Sequence, residues 1–251
     1  MNFLGNQGEV LGTQSRSAQF SKLPLLEVIA SFRIAEPIRV SLETLDSVRG
    51  ALRDENLSAV RFKGGQIERP SFIEGEEDSF TFGNFETGLG VDVWSEQFSV
   101  SWRLVEESVE YVRYARIADV AQRLWGAIGT PAVVNAALTY TIVDASGDPV
   151  SKIMTIPDVS PEWLAQVVEF NVARKVSDQM EYRLHIENIS PKGIGEDARL
   201  RVIRTTGGIF TNQEDNPVEA LTQICHNPMQ DTFADMLTPD AKERWGFNGV
   251  H

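Results

Sequence analysis

Cysteine, histidine and long apolar segments are scarce in this sequence, and each scarcity excludes a class of protein. The chain has one cysteine and three histidines among 251 residues, so it has no internal disulfide framework and no zinc motif built from paired cysteines or histidines. No apolar run approaches the roughly 20 residues that a membrane-spanning helix needs. The first residues also lack the basic and apolar segments of a secretory signal. Together these features predict a soluble, cytoplasmic protein.

Positive charge is also in short supply. Lys and Arg total 23 against 36 Asp and Glu, which gives a net charge of −13. A broad nucleic-acid-binding surface or a surface for anionic membranes needs the opposite sign, so direct binding of either is not expected. The acidity is explained either by solubility or by a protein partner with a basic face.

The pattern of apolar residues predicts an α+β fold, with a mainly antiparallel sheet packed by two or three long helices. Residues 1–22 are predicted to form a flexible N-terminal arm. Residues 23–130 and 131–251 are predicted to form two weakly related strand-helix halves that pack as one unit. The alternative, a doubly wound parallel sheet, needs a regular strand-helix alternation that the chain lacks.

In the first half, residues 25–34 alternate as a strand. Ser41 is a typical N-cap for the helix that follows. Short alternating segments across residues 58–104 predict an antiparallel meander. Residues 111–128 carry an apolar stripe at helical spacing and predict a long helix.

In the second half, residues 133–144, 181–189 and 198–208 are predicted strands. The segment 160–176, which begins Ser-Pro, is predicted to be a helix because Ser and Pro commonly occupy the first positions of a helix. The last long helix is predicted from Asn216 onward, with Pro228 kinking or restarting it because proline lacks the amide hydrogen.

The adjacent residues Cys225, His226 and Asn227 have the residue types of a cysteine hydrolase. Neighbours on a helix point about 100° apart, so they are poorly placed to act on one another. Cys225 is therefore predicted to be a small buried side chain and His226 to be structural. A pairing of Cys225 with His185 is the remaining catalytic arrangement.

Other chemical motifs are absent from the sequence. The glycine-rich stretches at 83–90 and 205–210 match neither phosphate-binding loop pattern and are read as turns. No catalytic residue, metal ligand or cofactor is predicted. The expected interaction surface is instead the acidic stretch with Glu76, Glu77 and Asp78, together with Trp94, because exposed tryptophan is common at binding hot spots.

Both ends of the chain resemble a sporadically distributed family of uncharacterised bacterial proteins of about this length. Members open with a Pro-x-x-Glu-Val strand and close with a Leu-x-x-x-His helix that leads to a Phe and a Thr-x-(Asp/Glu) turn. The matching positions here are Pro24, Glu27, Val28, Leu221 or Ile224, His226, Phe233, Thr238 and Asp240. The family's Arg-Tyr-Ile-Asn strand is not legible in the middle of this chain.

That resemblance brings no catalytic residues with it. It gives Glu27, His226 and Phe233 structural roles, and the family's patchy occurrence implies an accessory function such as bacterial defence. The first functional hypothesis is therefore a non-enzymatic accessory subunit that binds another protein; homo-oligomerisation stays open. The second is a hydrolase or transferase in which His226 or His185 is the base, and the third is a small-ligand binding module.

Overall fold

The described part of the chain contains twelve strands, of which ten form one antiparallel sheet and two form a small separate pair. The computed structural model describes residues 19–20, 23–63, 66–68, 79–104, 113–166, 169–189, 200–211 and 215–248. The strands are β1 (Gln19–Phe20), β2 (Leu25–Ile34), β3 (Ser58–Lys63), β4 (Gln66–Glu68), β5 (Ser79–Asn84), β6 (Leu89–Trp94), β7 (Gln97–Arg103), β8 (Val133–Asp144), β9 (Glu169–Lys175), β10 (Met180–Ile189), β11 (Leu200–Phe210) and β12 (Phe247–Asn248). The order across the large sheet is β4-β3-β5-β6-β7-β2-β8-β11-β10-β9, whereas β1 and β12 pair with each other.

The first strands of the two predicted halves meet at the centre of the sheet. β2 pairs with β8, and each also pairs with the last strand that its own half contributes to the large sheet, β7 or β11. Every pairing within the sheet is antiparallel. The chain therefore has the predicted α+β fold, and the pairing of β2 with β8 joins the strands on either side into one continuous sheet.

The helices complete the second layer. They are α1 (Leu42–Ala51), a 3-10 turn (Arg53–Glu55), α2 (Tyr114–Ala127), α3 (Val150–Ile153), α4 (Pro161–Leu164), α5 (Pro217–Ala220), a π-helical segment (Leu221–His226), α6 (Asn227–Met236) and α7 (Pro239–Arg244). The predicted cap at α1 is present, since Ser41 Oγ accepts from the Thr44 amide at 3.2 Å. No helix in the described ranges is long and apolar enough to cross a bilayer.

The core lies between this helical layer and one face of the sheet. Alternate residues of each central strand are fully buried, including Phe32, Phe98 and Trp102. Phe32 and Phe98 stack with ring centroids 4.6 Å apart on neighbouring strands. On the helical side, Ile117 and Leu124 of α2 are completely buried against them.

The predicted helix over residues 160–176 is wrong for most of its length. Among the described residues of this segment only α4 is helical, capped by Ser160 as expected. β9 follows as an edge strand paired with β10. Phe170 and Val172 are the half-buried members of an alternating pattern. A two-residue period and a partner strand outweigh the helical start signal in this segment.

Pro228 lies within a continuous helical run rather than at a break. α5, the π-helical segment and α6 follow one another from Pro217 to Met236, and Pro228 occupies the second position of α6. Proline cannot donate to the carbonyl four residues earlier, and its ring would collide with that carbonyl in a regular α-helix. The wider π turn immediately before it relieves this conflict, so the helix changes from π to α geometry next to Pro228.

Candidate interaction surface

One face of the sheet is covered by helices, and no helix in the described ranges covers the other. Helix α2 contacts β2 and β7, whereas α5, the π segment and α6 contact β8 and β11. Val28 and Ala30 of β2 point toward these helices and are buried. Glu27, Ile29 and Ser31 alternate with them and project from the opposite side. We call this opposite side the open face.

An exposed row of large side chains crosses one end of the open face. Phe210, Asn135, Arg33 and Gln97 are joined by successive strand pairings, and the same register carried into β6 puts Trp94 next to Gln97. Phe210 is 80% exposed and Trp94 is 37% exposed. We call these five residues the aromatic row. Aromatic and arginine side chains are enriched among residues that dominate binding energy.

A second row crosses the open face six residues farther along each central strand. It joins His185, Arg204, Thr141, Glu27 and Arg103. Glu27 and Arg103 form an ion pair. Arg204 is exposed. We call these five residues the charged row.

Mostly small side chains, together with Ile29 and Asp92, lie between the aromatic row and the charged row. They form two rows, Thr206-Thr139-Ile29-Ser101-Gly90 and Gly208-Ala137-Ser31-Ser99-Asp92-Thr81. We call these eleven residues the floor. Ser99 is only 6% exposed and Ser101 only 8% exposed, so the floor is recessed between the longer side chains. Asp92 accepts hydrogen bonds from the hydroxyls of Ser99 at 3.2 Å and Thr81 at 2.6 Å.

The residues predicted to form an interaction surface divide into two groups. Glu76, Glu77 and Asp78 lie outside the described residues. Trp94 ends β6 and belongs to the aromatic row. The structure thus places one of the four on the open face, beside residues that the sequence did not single out.

His226 joins the C-terminal helical run to α2. Its ring stacks on Tyr114 with centroids 4.0 Å apart. Nδ1 lies 3.0 Å from Asn227 Oδ1, and Nε2 lies 3.2 Å from Gln230 Nε2. Burial lowers the pKa of His226, with a smaller opposing effect from the hydrogen bond to Asn227. The ring bonds to side chains of its own helix instead of capping backbone carbonyls.

Cys225 and His185 lie on opposite sides of the sheet. Cys225 is fully buried against β11, where its Sγ would be 2.4 Å from a Cβ added to Gly207. Burial raises the pKa of the Cys225 thiol to about 12. His185 belongs to the charged row and lies 3.8 Å from Glu187 Oε2. The sheet therefore separates the thiol from the imidazole, and the catalytic pairing of these two residues is wrong.

Phe233 and Glu27 are the other two residues to which the resemblance gives structural roles. Glu27 forms the ion pair with Arg103, and Phe233 makes packing contacts. Phe233 is 5% exposed and stacks on Trp245 with centroids 6.2 Å apart. It also lines a cavity of about 30 Å³ with Gln230 and Tyr140. That cavity has room for about one or two waters and is too small for a substrate.

A larger cleft of about 350 Å³ lies between α1 and β5. Its lining residues are Val48, Arg49, Leu52, Arg53, Asn56, Leu57 and Phe82. The Arg49 guanidinium lies 5.7 Å from the centroid of the Phe82 ring. The cleft thus combines an apolar base with two cationic side chains.

The open face could not be predicted from the sequence because its rows join residues from strands that are far apart in the chain. Phe210 and Arg33 are 177 positions apart but lie on strands separated only by β8. One signal was available, since Ser, Thr and Ala alternate with large apolar residues along β7 and the middle of β8. Within the described ranges, no group of three or more His, Cys, Asp and Glu side chains is arranged to hold a metal ion.

Comparisons with known proteins give no family for this chain. No family model matches it, and no curated protein matches it. Among solved structures, Methanococcus jannaschii TBP matches at 12% sequence identity, covering 86% of this chain and 99% of that chain with a TM-score of 0.27. Similarity at that level is too low to support an inference about fold or function.

Proposed function

We propose that this protein is a non-enzymatic, cytoplasmic accessory subunit that binds another protein through its open face and serves a bacterial defence or conflict system. The observation that carries the proposal is the aromatic row, which exposes Phe210, Trp94 and Arg33 together on a broad sheet. Surfaces that expose aromatic and arginine side chains on a rigid support are typical of protein interfaces. The defence role rests on the resemblance of the two chain ends to a patchily distributed bacterial family.

The contacts of the polar residues support binding over catalysis. Both ring nitrogens of His226 have side-chain partners, and the adjacent cavity is about 30 Å³. Cys225 is fully buried on the helix-covered side of the sheet, whereas His185 belongs to the open face. A general base needs a substrate atom within hydrogen-bond reach, and neither His226 nor Cys225 lines either of the two cavities found among the described residues.

The test is co-purification from the native cell with the tagged full-length chain at natural expression. We expect a stoichiometric protein partner, and we expect Phe210→Ala combined with Trp94→Ala to lower its recovery at least tenfold. Truncating a binding hot spot costs about 2 kcal/mol or more, which corresponds to this loss. Phe85→Ala is the matched control, because Phe85 is 49% exposed but lies in the β5–β6 turn. Equal losses for both variants, or the absence of any partner, would contradict the proposal.

The acidic stretch provides an independent version of the same test. Reversal of Glu76, Glu77 and Asp78 to Lys is expected to weaken partner capture, and the effect should shrink at high salt because screening shortens charge interactions. Unchanged capture would remove the acidic stretch from the binding surface and leave the open face as the interface.

Small-ligand binding is the second candidate function, and the cleft between α1 and β5 favours it. Its apolar base and two arginines suit an organic anion with an apolar body. Calorimetric titration with dodecanoate tests this function, and Arg53→Gln is expected to weaken binding. Binding in the absence of a protein partner would favour this candidate over the first.

A further inference from the structure

We infer that the open face binds an α-helix of the partner, which lies across the strands on the floor between the aromatic row and the charged row. The inference rests on the proposed function and specifies the kind of partner. The flanks of that helix carry acidic side chains that reach Arg33 on one side and Arg204 on the other.

The width of the floor fits a helix. The aromatic row and the charged row are six residues apart along each central strand, as in Asn135 to Thr141. At about 3.3 Å per residue this separation is about 20 Å between backbones. A helix with its side chains is about 10–12 Å across, which leaves room for the long side chains of both rows on its flanks.

The length of the floor also fits. Its second row runs over six adjacent strands, from Gly208 on β11 to Thr81 on β5. Five spacings of about 4.8 Å give about 24 Å, the length of a helix of about 16 residues. Beyond β11, the ion pair of Arg183 with Glu181 marks the end of the floor on β10. A Cβ added to Gly208 meets no atom within 4 Å, so the floor is open at that end.

The charges on the open face indicate the chemistry of the helix. Arg33 and Arg204 are exposed, and neither forms an ion pair within the described ranges. The other arginines of the open face, Arg103 and Arg183, are paired with Glu27 and Glu181. Asp92 on the floor accepts from the hydroxyls of Ser99 and Thr81. The two arginines are therefore available to carboxylates of a partner. At physiological salt the Debye length is about 8 Å, so the net negative charge of the chain does not prevent contact pairs from forming.

Photo-cross-linking measures the geometry of the bound segment directly. A photoreactive amino acid is placed singly at Gly208, Ala137, Ser31 and Thr81 of the full chain, which is cross-linked in the native cell. The partner residues attached at each position are then identified by mass spectrometry. A helix across the strands advances about 3 residues for each strand crossed, whereas an extended segment advances about 1.5. Between Gly208 and Thr81 the expected advance is about 16 residues for a helix and about 7 for an extended segment.

Each outcome decides the inference. An advance of about 3 residues per strand, in a segment with Asp or Glu on its flanks, supports it. An advance of about 1.5 overturns the helix but leaves protein binding intact. Cross-links to nucleic acid or to a second copy of this chain overturn it. A partner that co-purifies without cross-linking at any floor position also overturns it, whereas failure to recover any partner overturns the proposed function itself.

Charge reversal provides a separate readout. Arg33→Glu and Arg204→Glu are each expected to reduce cross-linking from Ser31 at least fivefold. Arg174→Glu is the matched control. Arg174 is an exposed arginine on edge strand β9, and it lies on the opposite side of the sheet from the open face because it pairs with Tyr182. Equal reductions for all three variants would show a general charge effect and contradict the assigned contacts.

Discussion

Gly207 occupies a position on β11 where no side chain fits. An added Cβ would lie 2.4 Å from Cys225 Sγ, 3.0 Å from Met229 Sδ and 3.1 Å from Met180 Cε. Gly207→Ala is therefore expected to lower the free energy of unfolding by about 1–3 kcal/mol, the range for overpacking a filled core. Urea unfolding measures the loss.

The neighbouring Gly208 is the control for that substitution. It lies on the same strand, but an added Cβ meets nothing within 4 Å. Gly208→Ala should leave the unfolding midpoint unchanged or raise it, since alanine restricts the unfolded chain more than glycine does. Adding Cys225→Ala to Gly207→Ala should recover part of the loss, and no recovery would show that the overpacking is not centred on the sulfur.

His226 gives the protein a specific dependence on pH. Burial lowers its pKa from the ordinary value of 6.5, so the unfolded chain takes up a proton at this site at a higher pH than the folded chain does. The free energy of unfolding must then decrease as pH falls below about 6.5. His226→Gln should remove this component, so that the difference in stability between the two proteins changes below about pH 6.5 and is constant above about pH 7.5. A difference that is constant from pH 5 to 8 would contradict the shifted pKa.

Glu55 connects the 3-10 turn after α1 to helix α2. Its carboxylate forms ion pairs with Arg116, at 2.5 Å, and with Arg123, although its side chain is only 7% exposed. Glu55→Gln should lower the free energy of unfolding by about 1–3 kcal/mol because two arginines lose the negative charge of their shared, mostly buried partner. Asp54→Asn is the comparison, since Asp54 also contacts Arg123 but is 61% exposed. Thermal unfolding should show a clearly smaller loss for Asp54→Asn, and equal losses would assign the effect to general surface charge.

For strands with strict alternation, the sequence predicted the first and last residues to within one or two positions. For helices with capping residues, it predicted where the helix begins. β8 has the predicted bounds, and Ser41 caps α1 as expected. β9 was misassigned because Ser160 and Pro161 begin a real helix that ends after one turn. Trp245 lies near the end of the chain beside Gly246, yet it packs on Phe233 and is 3% exposed. Such contacts between distant segments have no local signal.

The candidate surface was less predictable than the elements that form it. Trp94 was singled out for its size and its neighbours in the sequence. Phe210, Arg33 and Asn135 can be recognised as part of the same surface only when the strand order and register are known. One sequence does not specify which strands are neighbours, because alternating patterns fix which side a residue faces and not which strand lies beside it.

The continuous sheet predicts that the two halves unfold together. Leu138 of β8 is fully buried at the boundary, opposite Ala30 of β2 and Gly207 of β11. Leu138→Ala should lower the free energy of unfolding by about 2–5 kcal/mol. In single-tryptophan proteins that keep either Trp125 or Trp245, the urea midpoint should shift by the same amount. A shift confined to Trp245 would show that the halves are separate folding units.

The central position of β2 also matters while the chain is being made on the ribosome. β7 can pair with one side of β2 as soon as it is synthesised, but β8 ends about 40 residues later. At about 5–20 residues per second, this interval is about 2–8 s. During that time the nascent chain presents an apolar strand with one free edge, which is a template for aggregation. Rare codons between positions 104 and 132 would prolong that exposure, so the yield of native protein depends on the speed of translation through a segment outside both central strands.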